Sequence, residues 1–369
     1  MRICIDARPA REVVTGLGRY ASSLVSHLAA LDRSNEYIVL RRAESSAPLV
    51  CQENFREVFL DYSMYSARNL LAGARAINAL QPDIYHALFH FLPLGLRTRR
   101  TVVTLHDLIW VQHPLRSAGR HWRRWFKAGL AAPLIRHALA RADQVITTSE
   151  STRQEVIAHY GFPPPKLTTI HLGVDQLFSG PPPETLPALG QGTPFIFSLG
   201  NTLPHKNIPR LLRAFGAIAP RYPKLRLLIA GRGDGHPTLL RLAGQLALMD
   251  RVLFRKRLSQ AEIHACYGGA LLFAFPSLME GFGLPVLEAM ASGCPVLAAD
   301  IPPVAEVAGG DAWLVDPLDP QAIAAGLCHL LDDPGMRQEL SQRGRSRAAG
   351  FTWQVCAEKT LAVYRQVLA

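Results

Sequence analysis

The six cysteines (Cys4, Cys51, Cys266, Cys294, Cys328 and Cys356) are scattered through 369 residues, and no two are spaced Cys-x-x-Cys. That excludes a disulfide scaffold and a structural zinc site, and it predicts reduced thiols in a cytosolic protein. No apolar run approaches the roughly 20 residues that a membrane span needs, and no secretory signal peptide is expected. No nucleic-acid-binding module is recognisable, so nucleic acid is not an expected partner. Asp-x-Asp does not occur. Acids are also scarce. There are 29 Asp and Glu against 40 Lys and Arg, a formal charge of +11. The excess is uneven: residues 1–180 carry 22 bases against 14 acids, and residues 181–369 carry 18 against 15. A basic first half favours anionic partners or reflects plain solubility. With 49% hydrophobic and 19% charged residues, the composition is that of a globular protein, and its length suits two domains.

What is present alternates. Short β-like runs, RICIDA (2–7), YIVL (37–40), DIYHA (83–87), TVVTLH (101–106), QVITT (144–148) and KLTTIH (166–171), are interleaved with helical stretches such as GRYASSLVSHLAAL. This predicts an α/β chain with parallel sheets. GPPPETLPALGQGTP (180–194) is rich in Pro and Gly and reads as a linker. The alternation then restarts with FIFSLG (195–200), the helix NIPRLLRAFGAIA (207–219), LRLLIAG (225–231), RVLF (251–254), ALLFAFPS (270–277) and PVLAAD (295–300). Ser259 and Glu262 are spaced as a capping box. The expected organisation is a first domain at 1–180, a linker at 181–194 and a second domain at 195–350. A terminal helix at 351–369 is expected to pack back on the first domain.

One stretch asks for a ligand. In PSLMEGFGLPVLEAM (276–290), Glu280 and Glu288 bracket a Gly-Phe-Gly turn after a predicted buried strand. Pro285 suits the first turn of a helix and Gly293 its end. No Ser, Thr, Asp or Asn stands at Gly283 or Leu284 to cap that helix, so its N–H groups need an acceptor, which a phosphate or sugar hydroxyl could be. Glu288 falls in the first helical turn, where it could simply offset the helix dipole. Glu280 could be an ordinary loop acid. A carboxylate also accepts paired hydrogen bonds from a vicinal diol. Carboxylates beside a phosphate call for a cation nearby.

A second stretch, RSAGRHWRRWFKAGL (116–130), has five Lys and Arg and no acid. Trp122, Phe126 and Leu130 recur every four residues. The pattern fits either an amphipathic helix at an anionic membrane surface or a helix burying its aromatic face.

EGFGLPVLEAMASGCPV, with Glu280 and Glu288 eight apart, resembles the signature of the retaining glycosyltransferases of family 4. IDARPA (5–10), TGLGRY (15–20), TLHDL (104–108), ITTSEST (146–152), LGVD (172–175), LGNTLPHKN (199–207), GRGDG (231–235) and FTW (351–353) fall in the order of that family. The resemblance therefore covers nearly the whole chain. It implies a GT-B fold, two Rossmann-like domains facing across a cleft. It also implies transfer of a hexosyl group, with retention, from a nucleotide sugar to a glycan or lipid-linked glycan. The details look most like bacterial mannosyltransferases of surface polysaccharide assembly, which makes GDP-mannose the leading donor and UDP-sugars the next. No cofactor or metal is implied, and the missing Asp-x-Asp agrees. The implied location is cytoplasmic, with peripheral contact on the inner membrane face through 116–130.

By position, the resemblance assigns Glu288 to the ribose, Glu280 to hydroxyls of the transferred sugar, and Lys206 to the departing diphosphate. Gly281, Phe282, Gly283 and Leu284 line the donor. His106 lies by the reacting centre without acting as an inverting base. Gly16 and Gly18, on the residues alone a tight packing turn, lie over the diphosphate, with Arg19 beside them. The chain departs from the family where an Arg usually stands five residues before the lysine: Asn201 is there, and His205 directly precedes Lys206. Arg232 is the candidate replacement cation, and Asn201 can offer hydrogen bonds only. A sugar-nucleotide epimerase or phosphorylase of the same fold, or a non-catalytic nucleotide-sugar-binding subunit, stays open as an alternative.

Overall fold

A computed structural model describes residues 1–10, 16–42, 47–113, 122–183, 192–231 and 236–369, with backbone alone for 122–128. Two compact units emerge. Residues 1–112, 126–173 and 352–369 form one, and residues 113–125 and 174–351 form the other. The changeover comes at Gly173–Val174, ahead of the expected boundary at Gly180. Val174 N–H donates to Phe351 O at 3.0 Å, and the buried Phe178 ring lies against His264 and Tyr267, so this stretch belongs to the second unit.

The first unit holds seven parallel strands: β1 (Arg2–Asp6), β2 (Glu36–Arg42), β3 (Phe55–Leu60), β4 (Ile84–Ala87), β5 (Arg100–Leu105), β6 (Gln144–Thr147) and β7 (Leu167–Thr169). Their order is β3-β2-β1-β4-β5-β6-β7. Helices α1 (Gly16–Leu31), α2 (Ala67–Ala79), α3 (Ile109–Gln112), α4 (Trp122–Arg141) and α5 (Glu150–Tyr160) connect them. Strands β1, β4 and β6 are buried on both faces almost throughout, as a parallel sheet requires of its inner strands. Cys4, Ile38, Tyr85, Val103 and Val145 run through this core.

The second unit holds β8 (Phe195–Leu199), β9 (Arg226–Ala230), β10 (Val252–Arg255), β11 (Leu272–Phe275), β12 (Val296–Ala299) and β13 (Trp313–Val315), in the order β10-β9-β8-β11-β12-β13. This is the 3-2-1-4-5-6 order of a doubly wound nucleotide-binding sheet. Its helices are α6 (Ile208–Ile218), α7 (His236–Gln245), α8 (Gln260–Gly269), α9 (Leu284–Ala291), α10 (Pro302–Ala308), α11 (Pro320–Asp332) and α12 (Pro334–Ala348). The capping box predicted at α8 is present in both directions. Periodicity alone does not single out β3, β13, α2, α11 or α12. β3 is a half-exposed edge strand and β13 has only three residues, so neither shows a sustained buried run.

The last helix, α13 (Trp353–Leu368), belongs to the first unit. Trp353, Cys356, Ala357, Thr360, Leu361 and Tyr364 form one buried stripe at helical spacing and pack on α1. Beneath it, His86 Nδ1 shares a hydrogen bond with the Tyr364 hydroxyl at 2.6 Å. His86 Nε2 meets Thr104 Oγ1 at 2.8 Å, and Tyr20 meets the same hydroxyl at 3.0 Å. Among the described residues no helix is long and apolar enough to cross a membrane.

Candidate functional site

In a doubly wound sheet, ligands lie at the carboxyl ends of the strands where strand order reverses. In the second unit that point lies between the paired strands β8 and β11. The loop after β8 carries Asn201 and Lys206, and the loop after β11 carries Glu280. The two loops are laced together. Leu278 N–H donates to His205 O at 2.7 Å. The Asn207 side-chain amide donates to Pro276 O at 2.9 Å and to Pro317 O at 2.6 Å. Asn207 itself sits in the left-handed region at φ 59°, between the short 3-10 turn Pro204–Lys206 and α6.

This lacing brings Lys206 Nζ to 2.5 Å from Glu280 Oε1. The two side chains are only 13% and 12% exposed. The Lys206 amine also lies 5.2 Å from the centre of the Phe275 ring, a cation–π distance. Its stem runs beside Gly200, where an added Cβ would stand 3.3 Å from Lys206 Cδ. Lys206 is thus a cation fixed along its length. Asn201 does not add charge: its Oδ1 accepts the Leu203 N–H at 3.0 Å and shapes the turn. Gly231, which opens the glycine loop, has φ 154°, and a Cβ there would overlap Gly200 O. Arg232 lies outside the described residues, as do 116–121 of the basic stretch and the side chains of 122–128.

Helix α9 starts from Gly283 at φ 114°, with no side-chain capping bond and with Pro285 near its start. Phe282 is buried, its ring 6.1 Å from Phe351, so this residue can offer a ligand its backbone only. Glu288 corrects an expectation. It is the fifth helical residue, past the first turn, and only 3% exposed, so offsetting the N-terminal dipole does not explain it. The Tyr267 hydroxyl from α8 lies 3.3 Å from Glu288 Oε2 and 3.1 Å from Pro285 O. Sequence reasoning gave no role to Tyr267, Phe275 or Asn207. Asn207 stood inside a quoted motif, whereas the other two carry no local signal.

In the first unit, Gly16 opens α1 and Gly18 is buried within it. A Cβ at Gly16 would meet nothing within 4 Å among the described residues, so packing does not demand glycine there. His106 follows the end of β5. Its Nε2 lies 3.0 Å from Leu88 O, and its ring meets Tyr20 edge-on at 4.9 Å. A carbonyl only accepts, so Nε2 carries the proton and, in the neutral ring, Nδ1 keeps a lone pair. Burial pushes the His106 pKa down to about 4, so the ring is neutral near pH 7. His106 can accept a hydroxyl hydrogen bond but brings no charge. Asp107 Oδ1 accepts the Ile109 N–H at 3.0 Å, capping α3.

Two doubly wound parallel sheets make up the double-Rossmann fold known as GT-B, and in the second a fixed lysine–carboxylate pair stands at the switch point. Comparison with known proteins narrows this. Residues 14–176 match the family described as Glycosyltransferase Family 4, and residues 187–347 match Glycosyl transferases group 1. The O-antigen chain mannosyltransferase B of Escherichia coli is 27% identical over 390 aligned positions, spanning 99% of this chain and 100% of that protein. Sucrose-phosphate synthase from Thermosynechococcus elongatus superposes with a TM-score of 0.81 at 23% identity, covering 100% of this chain and 99% of that one. Anabaena HepE, solved with UDP and glucose, gives 0.73 at 17% identity, covering 99% of this chain and 100% of that one. The chain belongs to the family 4, group 1 glycosyltransferases.

Proposed function

We propose that the protein is a retaining hexosyltransferase. In this reading it moves a mannosyl group from GDP-mannose, with UDP-sugars as the next candidates, to a glycan or lipid-linked glycan. The observation that carries the reading is the Lys206–Glu280 pair at the switch point of the second sheet. Lys206 holds the charge that develops on the departing nucleoside diphosphate, and preorganised charge is the strongest single lever for such a step. Glu280 takes hydroxyls of the transferred sugar and Glu288 takes the ribose. Gly281, Phe282, Gly283 and Leu284 present backbone at the uncapped start of α9. Gly16, Gly18 and His106 act from the first unit, and Arg232 supplies a second cation. The mannosyl assignment draws support from the O-antigen mannosyltransferase relative. The carboxylates grip hydroxyls and do not shuttle protons, so the paired-carboxylate scheme of glycosidases does not apply. No metal takes part in this reading. The enzyme works in the cytoplasm, touching the inner membrane face through 116–130.

Thermal shift with a panel of GDP-, UDP- and ADP-sugars tests the reading. The true donor at about 100 times its Kd adds about 2.7 kcal/mol of stability. GDP-mannose is expected to give the largest shift. No response to any of them would overturn the reading. Proton NMR of the first product formed tests retention: an α-linked donor must give an α-linked product.

A further inference from the structure

The proposed function sends Lys206 and Glu280 to different parts of the donor, yet in the free protein they hold each other. We propose that Glu280 is the resident counter-ion of Lys206, a positioning residue that makes the site favour an intact sugar nucleotide over the free nucleoside diphosphate. This rests on the donor-binding reading above. The geometry limits what can change on binding. The lysine stem is fixed by Gly200 and the Phe275 ring, so its amine can change partner without moving far. Both side chains are mostly shielded from water, so their attraction exceeds that of a surface pair. Asn201 adds no charge, its Oδ1 being taken up by the Leu203 N–H.

A diphosphate must therefore compete with Glu280 for the amine. When it wins, Glu280 is left as a shielded carboxylate without its cation, which is unfavourable. An intact donor offsets that loss, because hexose hydroxyls donate to the freed carboxylate. A bare nucleoside diphosphate does not. After transfer the hexose departs with the acceptor, Glu280 regains Lys206, and the nucleoside diphosphate is released. The exchange makes and breaks no covalent bond and moves no proton.

Calorimetric titration of the full chain with GDP, UDP and ADP, and with the matching sugar nucleotides, tests this. Glu280→Gln keeps the shape and removes the charge. It is expected to bind the free nucleoside diphosphate about tenfold tighter than the unsubstituted chain, to lower the ratio of sugar-nucleotide to diphosphate affinity by more than that, and to slow transfer. Adding Lys206→Met should erase the difference, as a double-mutant cycle requires of a direct pair. Glu280→Asp, which withdraws the carboxylate, is the second variant should Glu280→Gln fail to fold, and it is expected to shift both quantities the same way. If the unsubstituted chain binds neither the three diphosphates nor the matching sugar nucleotides, the donor-binding reading falls and this inference with it. If it binds a sugar nucleotide, and the charge-removed chain binds the free diphosphate no tighter than the unsubstituted chain does, this inference alone is overturned. Equal weakening of both ligands also overturns it, because that is what a merely structural glutamate would give.

Discussion

At the residue scale, the cation and the ribose carboxylate should fail differently. Lys206 acts where charge develops, so Lys206→Ala is expected to lower kcat by about 10²–10³-fold with a smaller change in donor affinity. Glu288 is buried against Tyr267 and grips a group that does not react. Glu288→Gln should therefore weaken donor binding about tenfold or more, with kcat much less affected. Steady-state kinetics with the donor found by thermal shift would separate the two, and matching kcat losses would contradict the division of roles. Each residue was readable in the sequence only through an ordered set of motifs. Their pairing was not: Lys206 and Glu280 stand 74 positions apart, and no periodicity links them. What joins them is the parallel pairing of β8 with β11 and the amide of Asn207 reaching two backbone carbonyls. Tyr267 and Phe275 went unassigned for the same reason, since a helix residue and a strand residue reveal their site role only once the sheet order is known.

At the element scale, the alternation of strands and helices gives the parallel α/β class because buried strands read as short apolar runs. It fails at β3 and β13, where exposure or brevity removes that pattern. The terminal helix α13 shows what one close approach demands. A Cβ at Gly173 would run into the backbone of Thr352 and Trp353, at the start of α13. Backbone cannot swing aside as a flexible side chain can. Gly173→Ala should therefore cost about 2–3 kcal/mol, read as a lowered midpoint in urea. Tyr364→Phe offers an independent check on the same helix. It removes the hydroxyl that meets His86 Nδ1 at 2.6 Å and leaves a buried ring nitrogen without its partner. A loss of about 1–3 kcal/mol is expected, and an unchanged midpoint would show that the buried network does not hold α13 down.

At the scale of the whole molecule, the two units differ in how they meet acid. The first unit holds two buried histidines, His86 and His90, and a half-buried one, His106, whose pKa values are strongly lowered. Burial pushes His86 and His90 down to about 3, each also disfavoured by neighbouring His106, and pushes His106 to about 4. In the unfolded chain each titrates near 6.5. The sign follows directly. Between pH 6.5 and about 4 the unfolded state takes up protons that the native state refuses, so stability is lost as pH falls. Each histidine contributes a slope approaching about 1.4 kcal/mol per pH unit in that window. In the second unit, burial also shifts His264 downward. The first unit should therefore weaken first. Amide hydrogen exchange followed by mass spectrometry at pH about 7.5 and about 5, corrected for intrinsic rates, reads both units in one sample. Protection is expected to drop in β1, β4, β5 and α13 while β8, β9 and β11 keep theirs. Replacing His90, whose Nδ1 is buried with no hydrogen-bond partner among the described residues, by Phe should flatten part of the dependence. Equal loss in both units, or an acid response unchanged by His90→Phe, would show that other groups govern it.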